Sequence, residues 1–494
     1  MNLTDYLLEN VEDDRVAIIT TQGRYTYGEL KEATATLASN LVLNGVQPGD
    51  RVGLLGENSL FWVASYLAIL QIGAIAVPFA TATTVEDIRA KQNFVRCKLF
   101  CVDRRSHRRF LGAFEGDLPL IFDDVLKSDA TLQRPANPFD GDPDADVALM
   151  FTSGTTGKPR AVRVTAGNIR ANTDSIIEYL NLDREQRILV VLPFYYCFGA
   201  SLLHTHLRVG GSLVFCNTFA YPETALDMIE REECTGIAGV PSTYQTLLRN
   251  SSLPRRGLKT LRKVQQAGGK LQVVFIKELM AALPEAQIYV MYGQTEATAR
   301  LSYLPPHLLE TKLGSIGQGI PGVRLSVINE NGDPVTPGEV GEIMAWGKNI
   351  SPGYLEEPDA NAEKFCSGCL RTGDLATVDE DNFIYVVDRK DDFIKCLGHR
   401  VSSQEIESNV LQLPDVVSAA AIGVPDDVQG EAILVFATLR NKATTTQEDV
   451  IAHCRLNLAR HMVPKQVVFI DALPMNAHGK VVKAKLKEMA AQKI

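Results

Sequence analysis

An excess of basic residues is missing from this chain: 50 lysines and arginines stand against 59 aspartates and glutamates, a formal net charge of −9. Nucleic-acid platforms carry a net basic domain or stripe, so the balance argues against that class, and any anionic ligand must be held locally. The one dense basic stretch, Arg104, Arg105, Arg108 and Arg109, follows a strand end at Cys101 to Asp103 and has no interleaved aromatics. It is expected to be a solvated loop. Nine cysteines, an odd number, are scattered along the sequence, and Met1 to Asn10 has no basic start leading into an apolar run. That suits a reducing cytoplasm. Cys366 and Cys369 form a CxxC, yet no second pair or nearby histidine completes a zinc site, so free thiols near a turn are expected. Asn58 to Val85 contains no charged residue, but Ser59, Ser65, Gln71, Gly73 and Pro78 interrupt it. It reads as a buried helix to Ile72 followed by a short strand, Ala74 to Pro78, and not as a membrane span. Internal repeats and low-complexity tracts are absent.

What is present is an ordinary globular composition, 45% hydrophobic and 22% charged, over 494 residues. That length is about three times a ~150-residue domain, so more than one core is expected. Leu30, Leu37, Leu41 and Val42 recur at helical spacing before a Pro48-Gly49-Asp50 turn and a strand, Arg51 to Leu55. A polar loop, Ser128 to Asp146, precedes a strand at Val147 to Phe151 that runs straight into a glycine-rich turn. Alternation of βα type continues to about residue 310, and Gly314 to Ala376 then breaks into short extended runs divided by Gly, Pro and Asn-Gly turns. A charged segment, Asp388 to Asp392, marks the main boundary. Beyond it lies a shorter α+β region with strands at Ala419 to Val424 and Leu434 to Leu439 and a helix over Thr446 to Ala459.

The strongest local signal is Thr152-Ser153-Gly154-Thr155-Thr156-Gly157-Lys158-Pro159. Hydroxyls, amides freed by glycine, and one lysine converge on a short loop after a strand, a combination suited to wrapping a polyphosphate. It is not a Walker A loop, because only two residues separate Gly154 from Gly157-Lys158 and a proline follows. Read alone, a plain Gly/Thr turn is the less favoured alternative.

Further motifs occur in a characteristic order: Tyr25 to Pro78, Tyr292-Gly293-Gln294-Thr295-Glu296, Gly338-Glu339-Val340-Gly341-Glu342, Arg371-Thr372-Gly373-Asp374, Asp388 to Glu407, and Gly479-Lys480. With the loop they resemble the adenylate-forming superfamily of acyl-CoA synthetases, luciferases and peptide-synthetase adenylation domains, over nearly the whole chain. The resemblance implies an α/β fold: a large composite N-terminal domain, residues 1–388, with two βα-layered subdomains and a small β-barrel-like one, and a small mobile α+β C-terminal domain, residues 389–494. By the same resemblance Thr152, Ser153, Gly154, Thr155, Thr156 and Lys158 hold phosphates. Gly268 and Gly269 flank the adenine and acyl pocket, Tyr292 with Gly293 lies against the adenine, and Asp374 and Arg389 bind the ribose. Thr295 lies near the α-phosphate, Glu296 holds Mg²⁺, and Lys480 meets the carboxylate and α-phosphate. Tyr195, Tyr196, Val240 and Thr243 belong to the acyl pocket. Asp391 is the hinge about which the C-terminal domain turns, after which Gly398, His399 and Arg400 line the thiol's approach.

The residue types agree with these roles. Adenine offers a flat face to an aromatic ring, a hard cation wants carboxylate oxygen, and a lysine counters charge building during adenylation. Departures are few. Tyr196 stands where many relatives have histidine, and Tyr195 where peptide-synthetase domains usually have the aspartate that binds an amino group, which makes an α-amino acid less fitting. Arg160-Ala161 replaces the usual Lys-Gly, and Asp388 the usual glycine before Arg389. The expected function is an AMP-forming acid–thiol ligase using ATP and Mg²⁺, with a fatty or aryl acid favoured and the thiol supplied by CoA or a phosphopantetheine carrier protein. The alternatives are a stand-alone amino-acid-adenylating enzyme that loads a carrier protein, and a nucleotide-binding pseudo-ligase acting by interaction alone.

Overall fold

A computed structural model describes residues 2–9, 11–114, 118–127, 141–152, 160–219, 221–366, 368–389, 393–426, 429–476 and 479–491, with Arg389 described by its backbone alone. Two large mixed sheets form the N-terminal part. In one, the strands lie in the order Gly353–Tyr354, Arg160–Thr165, Asp146–Thr152, Ile75–Phe79, Arg51–Leu55, Leu99–Val102 and Leu120–Phe122. In the other the order is Gln318–Gly319, Ser302–Leu304, Gln287–Tyr292, Lys263–Gln266, Gly236–Gly239, Arg187–Val190, Ser212–Phe215, Val16–Ile19 and Arg24–Thr26. The inner strands of both are parallel, and the edges are antiparallel except at Leu120–Phe122, which pairs parallel with Leu99–Val102. Such sheets bury both faces under helices, which is why their strands read as apolar runs instead of alternating.

The charge-free stretch is the helix Leu60–Gln71, capped by Ser59, whose side chain accepts from the Trp62 amide; residues 61 to 70 are all buried. It packs between layers, and no helix among the described residues is long and apolar enough to cross a membrane. Capping boxes start other helices, Thr26 with Glu29, Thr165 with Asn168 and Thr446 with Asp449.

One expectation needs correction. Arg104–Arg109 is a short helix and not a loop: the Asp103 side chain accepts from the Ser106 amide, a local cap absent from composition-based reasoning. The stretch still faces solvent, with Arg104 paired to Asp124 and its guanidinium 3.7 Å from the Phe122 ring.

A four-stranded antiparallel sheet follows, ordered Val323–Ile328, Gly341–Gly347, Leu370–Val378, Ile384–Arg389. The smaller C-terminal domain carries its own sheet, in which the long hairpin Val416–Asp426 and Gly430–Leu439 is flanked by Ile394–Cys396 and Gln466–Phe469. It docks on the large part through Arg249, at the end of helix Pro241–Arg249. That guanidinium is paired with Glu278 at 2.8 Å, lies 4.3 Å from the Phe275 ring, and donates to the carbonyls of Leu411 (3.0 Å), Leu413 (3.1 Å) and Val416.

Candidate active site

In open parallel sheets, ligands gather beyond the carboxyl ends of the strands. Here those ends deliver Val240 after Gly236–Gly239, Gly268 and Gly269 after Lys263–Gln266, and Gly293 after Gln287–Tyr292. A cleft of about 320 Å³ opens there against the C-terminal domain, and its wall includes Gly268, Gly269, Tyr292, Gly293, Asp374 and Lys480. Six residues singled out from sequence, scattered over two hundred positions, thus share one cavity.

Two glycines are explained by contact. A Cβ on Gly293 would lie 1.9 Å from the Ala299 carbonyl oxygen, so the chain folds back on itself where only a hydrogen fits. Gly268 has φ +85°, and a Cβ there would meet Val240 Cγ1 at 2.9 Å and Tyr196 Oη at 3.1 Å. Tyr196, Val240 and Gly268 therefore converge behind the cleft wall.

Tyr292 donates to Asp374 Oδ2 at 2.5 Å, joining one large sheet to the antiparallel one, and Asp374 stands opposite Arg389 in the strand register. Asp374 is only 6% exposed, and its amide donates to Thr372 Oγ1. The neighbouring Asp388 is fully buried, accepting from the Ser402 hydroxyl (2.8 Å) and the Ser403 amide (3.1 Å). The departure from glycine there builds a link to the start of the helix Ser403–Val410.

Thr295 and Glu296 form a short 3₁₀ turn. Glu296 is buried, and the Tyr354 hydroxyl donates to its Oε1 at 2.7 Å. Arg160 lies over the Tyr354 ring (4.8 Å) and pairs with Glu357, so Arg160 acts on this site through a tyrosine that sequence reasoning did not single out. Burial, and after it the Glu296 carboxylate, pushes the Tyr354 phenol's pKa up, which keeps the donor protonated. Thr295 Oγ1 donates to Cys197 Sγ at 3.6 Å. Burial raises the Cys197 pKa, against the pull of Thr295, Arg300 and Lys480. A thiol held neutral is a poor nucleophile.

Lys480 sits in a tight turn, its amide donating to Asn476 Oδ1 at 3.0 Å and its carbonyl accepting from the Asn476 amide. The Ser242 hydroxyl donates to the carbonyl of the adjacent Gly479 at 3.4 Å, so the large part touches the turn that presents the lysine. Lys270, unforeseen from sequence, also lines the cleft, donating to the Val386 carbonyl at 2.9 Å. Burial lowers its pKa, while Asp388, Glu405 and Glu407 oppose that shift.

Other expected residues stand elsewhere. Thr243 packs its side chain on Gly239, while Ser242 and Gln245 line the cleft. Tyr195 bonds Thr81 and does not line the cleft. Gly398, His399 and Arg400 form an exposed hairpin turn outside it, with His399 stacked on His461 at 4.1 Å. Thr152 ends a strand opposite Arg160 in register. Ser153, Gly154, Thr155, Thr156, Lys158 and Asp391 lie outside the described residues, as does the Arg389 side chain.

For Mg²⁺ the donor chemistry fits: Glu296 offers a buried carboxylate whose Oε1 alone is taken by Tyr354, leaving hard oxygen for a hard cation.

Sequence and structure comparisons agree with this geometry. The chain is 30% identical over 475 residues to a feruloyl-CoA synthase from Amycolatopsis sp, covering 94% of this chain and 93% of that protein. Among solved structures it is similar to ATP-bound MatB from Rhodopseudomonas palustris, with a TM-score of 0.88, 27% identity and 99% of each chain covered. It is also similar to the o-succinylbenzoate coenzyme A synthetase MenE from Bacillus subtilis in complex with ATP and magnesium ion, with a TM-score of 0.84, 26% identity, and 98% of this chain and 99% of that one covered. The AMP-binding enzyme family matches residues 8–355 and its C-terminal domain family residues 405–480, and the chain belongs to this adenylate-forming family.

Proposed function

We propose that this enzyme joins a fatty or aryl carboxylic acid to ATP's α-phosphate and then passes the acyl group to a pantetheine thiol, of CoA or of a carrier protein. The observation that carries the reading is Lys480, brought from the C-terminal domain into the cleft that Tyr292, Gly293 and Asp374 also line. A binding module has no use for a lysine delivered across a domain junction.

In the first step a carboxylate oxygen attacks the α-phosphorus and pyrophosphate leaves with the bonding electron pair. Lys480 pairs with the carboxylate and α-phosphate oxygens, offsetting charge that grows in the transition state, and Thr295 donates to the same phosphate. Tyr292 supplies a flat face for adenine, and its bond to Asp374 fixes that carboxylate while Oδ1 accepts from ribose hydroxyls. Arg389, opposite Asp374, provides the second ribose contact, and Thr152 to Lys158 hold the β- and γ-phosphates. Glu296 holds Mg²⁺, which neutralises phosphate charge when bound. In the second step the thiol attacks the acyl carbon, its proton leaves to solvent, and AMP departs. Cys197 takes no part as an acyl carrier, being neutral and buried.

The two steps need different groups at one carbon. Asp391 acts as the hinge between an N-terminal domain of residues 1–388 and a C-terminal domain of residues 389–494, and rotation exchanges Lys480 for Gly398, His399 and Arg400. Tyr196 and Val240 form the acyl pocket's inner wall, behind Gly268. The reading is supported by the similarity to a feruloyl-CoA synthase, an aryl-acid enzyme by its name. The test is Lys480→Ala: acid-dependent pyrophosphate release should vanish while transfer from preformed acyl-AMP survives, and unchanged adenylation would overturn the assignment.

A further inference from the structure

Tyr354 is held more firmly than the end of a two-residue strand requires. It pairs with Val162 in register, its amide donates to Asn361 Oδ1 at 2.6 Å, and its carbonyl accepts from Asn361 Nδ2 at 2.9 Å. The residue is 3% exposed, with its ring edge-on to Phe365 at 5.5 Å and covered by the Arg160 guanidinium. Backbone and ring are thus both fixed, and what they present is one hydroxyl, 2.7 Å from Glu296 Oε1.

Arg160 sets the direction of that hydroxyl. Its Nε donates to Glu357 Oε2 at 2.9 Å, and its guanidinium also hydrogen-bonds the Tyr354 oxygen. Arginine has donors only, so the phenol oxygen accepts from Arg160 and its single proton goes to Glu296. A lysine, the usual residue at this position in the family, is a point charge on a flexible stem and lacks the planar fork that covers a ring while serving two acceptors. The Glu296 carboxylate is thereby made unequal: Oε1 is taken, whereas Oε2 has no hydrogen-bond partner among the described residues and is open to solvent. Glu296 and Lys480 both act electrostatically on Cys197, so this carboxylate lies near the cleft's lysine.

We propose that Tyr354, its hydroxyl oriented by Arg160, is a positioning residue for the cation: it occupies Glu296 Oε1, leaves Oε2 as the oxygen offered to Mg²⁺, and so sets how much tighter ATP binds with the metal than without it. This deepens the ligase reading and rests on its assignment of Mg²⁺ to Glu296. Outer partners that orient a ligating carboxylate commonly change metal affinity by about 10- to 100-fold when removed. Without a cation the carboxylate and the polyphosphate repel each other whichever way the carboxylate is turned, so metal-free binding does not depend on Tyr354.

The test is isothermal titration calorimetry of a non-hydrolysable ATP analogue, once in excess Mg²⁺ and once in EDTA, on wild type, Tyr354→Phe, Arg160→Met and Glu296→Gln. Wild type should bind tighter with Mg²⁺. Tyr354→Phe should lose about 10- to 100-fold in Mg²⁺ and keep its affinity in EDTA. Arg160→Met leaves the hydroxyl in place but frees its direction, so its loss should be smaller and again confined to Mg²⁺. The Arg160 side chain is 31% exposed, so this variant tests the relay even where the tyrosine variant fails to fold. Equal affinity of wild type and both relay variants in Mg²⁺ would overturn the proposal, as would a loss of the same size with and without the metal, the result for a hydroxyl with a merely structural role or an arginine that touches phosphate. Either outcome leaves the ligase reading intact. Glu296→Gln that binds the analogue as wild type does in both conditions would instead remove the metal assignment within that reading, and this inference with it.

Discussion

At the residue scale, the nucleotide end of the cleft depends on a two-member contact, Tyr292 to Asp374, that combines stacking surface with a fixed acceptor. Asp374→Ala removes the acceptor, and the expected result is a rise in KM for ATP of about 10- to 100-fold, the scale of hydrogen bonds to a charged group, with a smaller change in kcat. Tyr292→Phe keeps the ring and loses only the link to Asp374, so its KM for ATP should rise less, by about 3- to 10-fold; steady-state kinetics at saturating acid orders the two. Gly293→Ala should cost more than either, because its Cβ meets backbone and not a flexible side chain at 1.9 Å. About 3 kcal/mol or more of destabilisation is expected, read by urea denaturation. Gly268, Gly269, Tyr292, Gly293, Asp374 and Lys480, which share the cleft, were named through the family resemblance, since each motif read alone could have been an ordinary turn or a surface charge. Tyr354 and Cys197 were not singled out, since each meets the site through a partner far along the chain, Glu296 for Tyr354 and Thr295 for Cys197.

At the scale of elements, the helix Pro241–Arg249 does two things. Its first turn touches the Lys480 turn through Ser242, and its last residue grips three carbonyls that follow the helix Ser403–Val410. Arg249→Ala should therefore lower adenylation by about tenfold while changing transfer from preformed acyl-AMP less, a split that quench-flow of the two half-reactions would read. The phase of this helix is hidden in the polar run Pro241-Ser242-Thr243; the structure shows that Thr243, Tyr244, Leu247 and Leu248 take the buried face. The same limit of local reasoning made a loop of Arg104–Arg109, where one aspartate cap suffices for a helix. The helix Cys197–Val209 carries His204 and His206, whose burial lowers their pKa values to about 3 and about 4. Their unfolded value is near 6.5, so between that pH and the folded values the unfolded chain binds more protons. Stability is present in full above pH 6.5 and falls as pH drops towards 4, by roughly 1 kcal/mol per unit for each histidine. His206→Gln should flatten that decline, measurable as melting temperature between pH 7 and 5.

At the scale of the whole molecule, two parallel-cored sheets bring loop after loop to one rim, and a smaller domain closes the rim with a lysine. The alternation of apolar runs and helical spacing made the α/β class legible, whereas the order of strands did not follow from it, because Val16–Ile19 and Arg24–Thr26 pair next to Ser212–Phe215, far along the chain. The central claim is acyl adenylation, and its most direct test is acid-dependent exchange of labelled pyrophosphate into ATP across fatty, aryl, hydroxy and amino acids. Exchange with a fatty or aryl acid, lost in Lys480→Ala, is the predicted result. ATP bound without exchange for any acid would contradict the account.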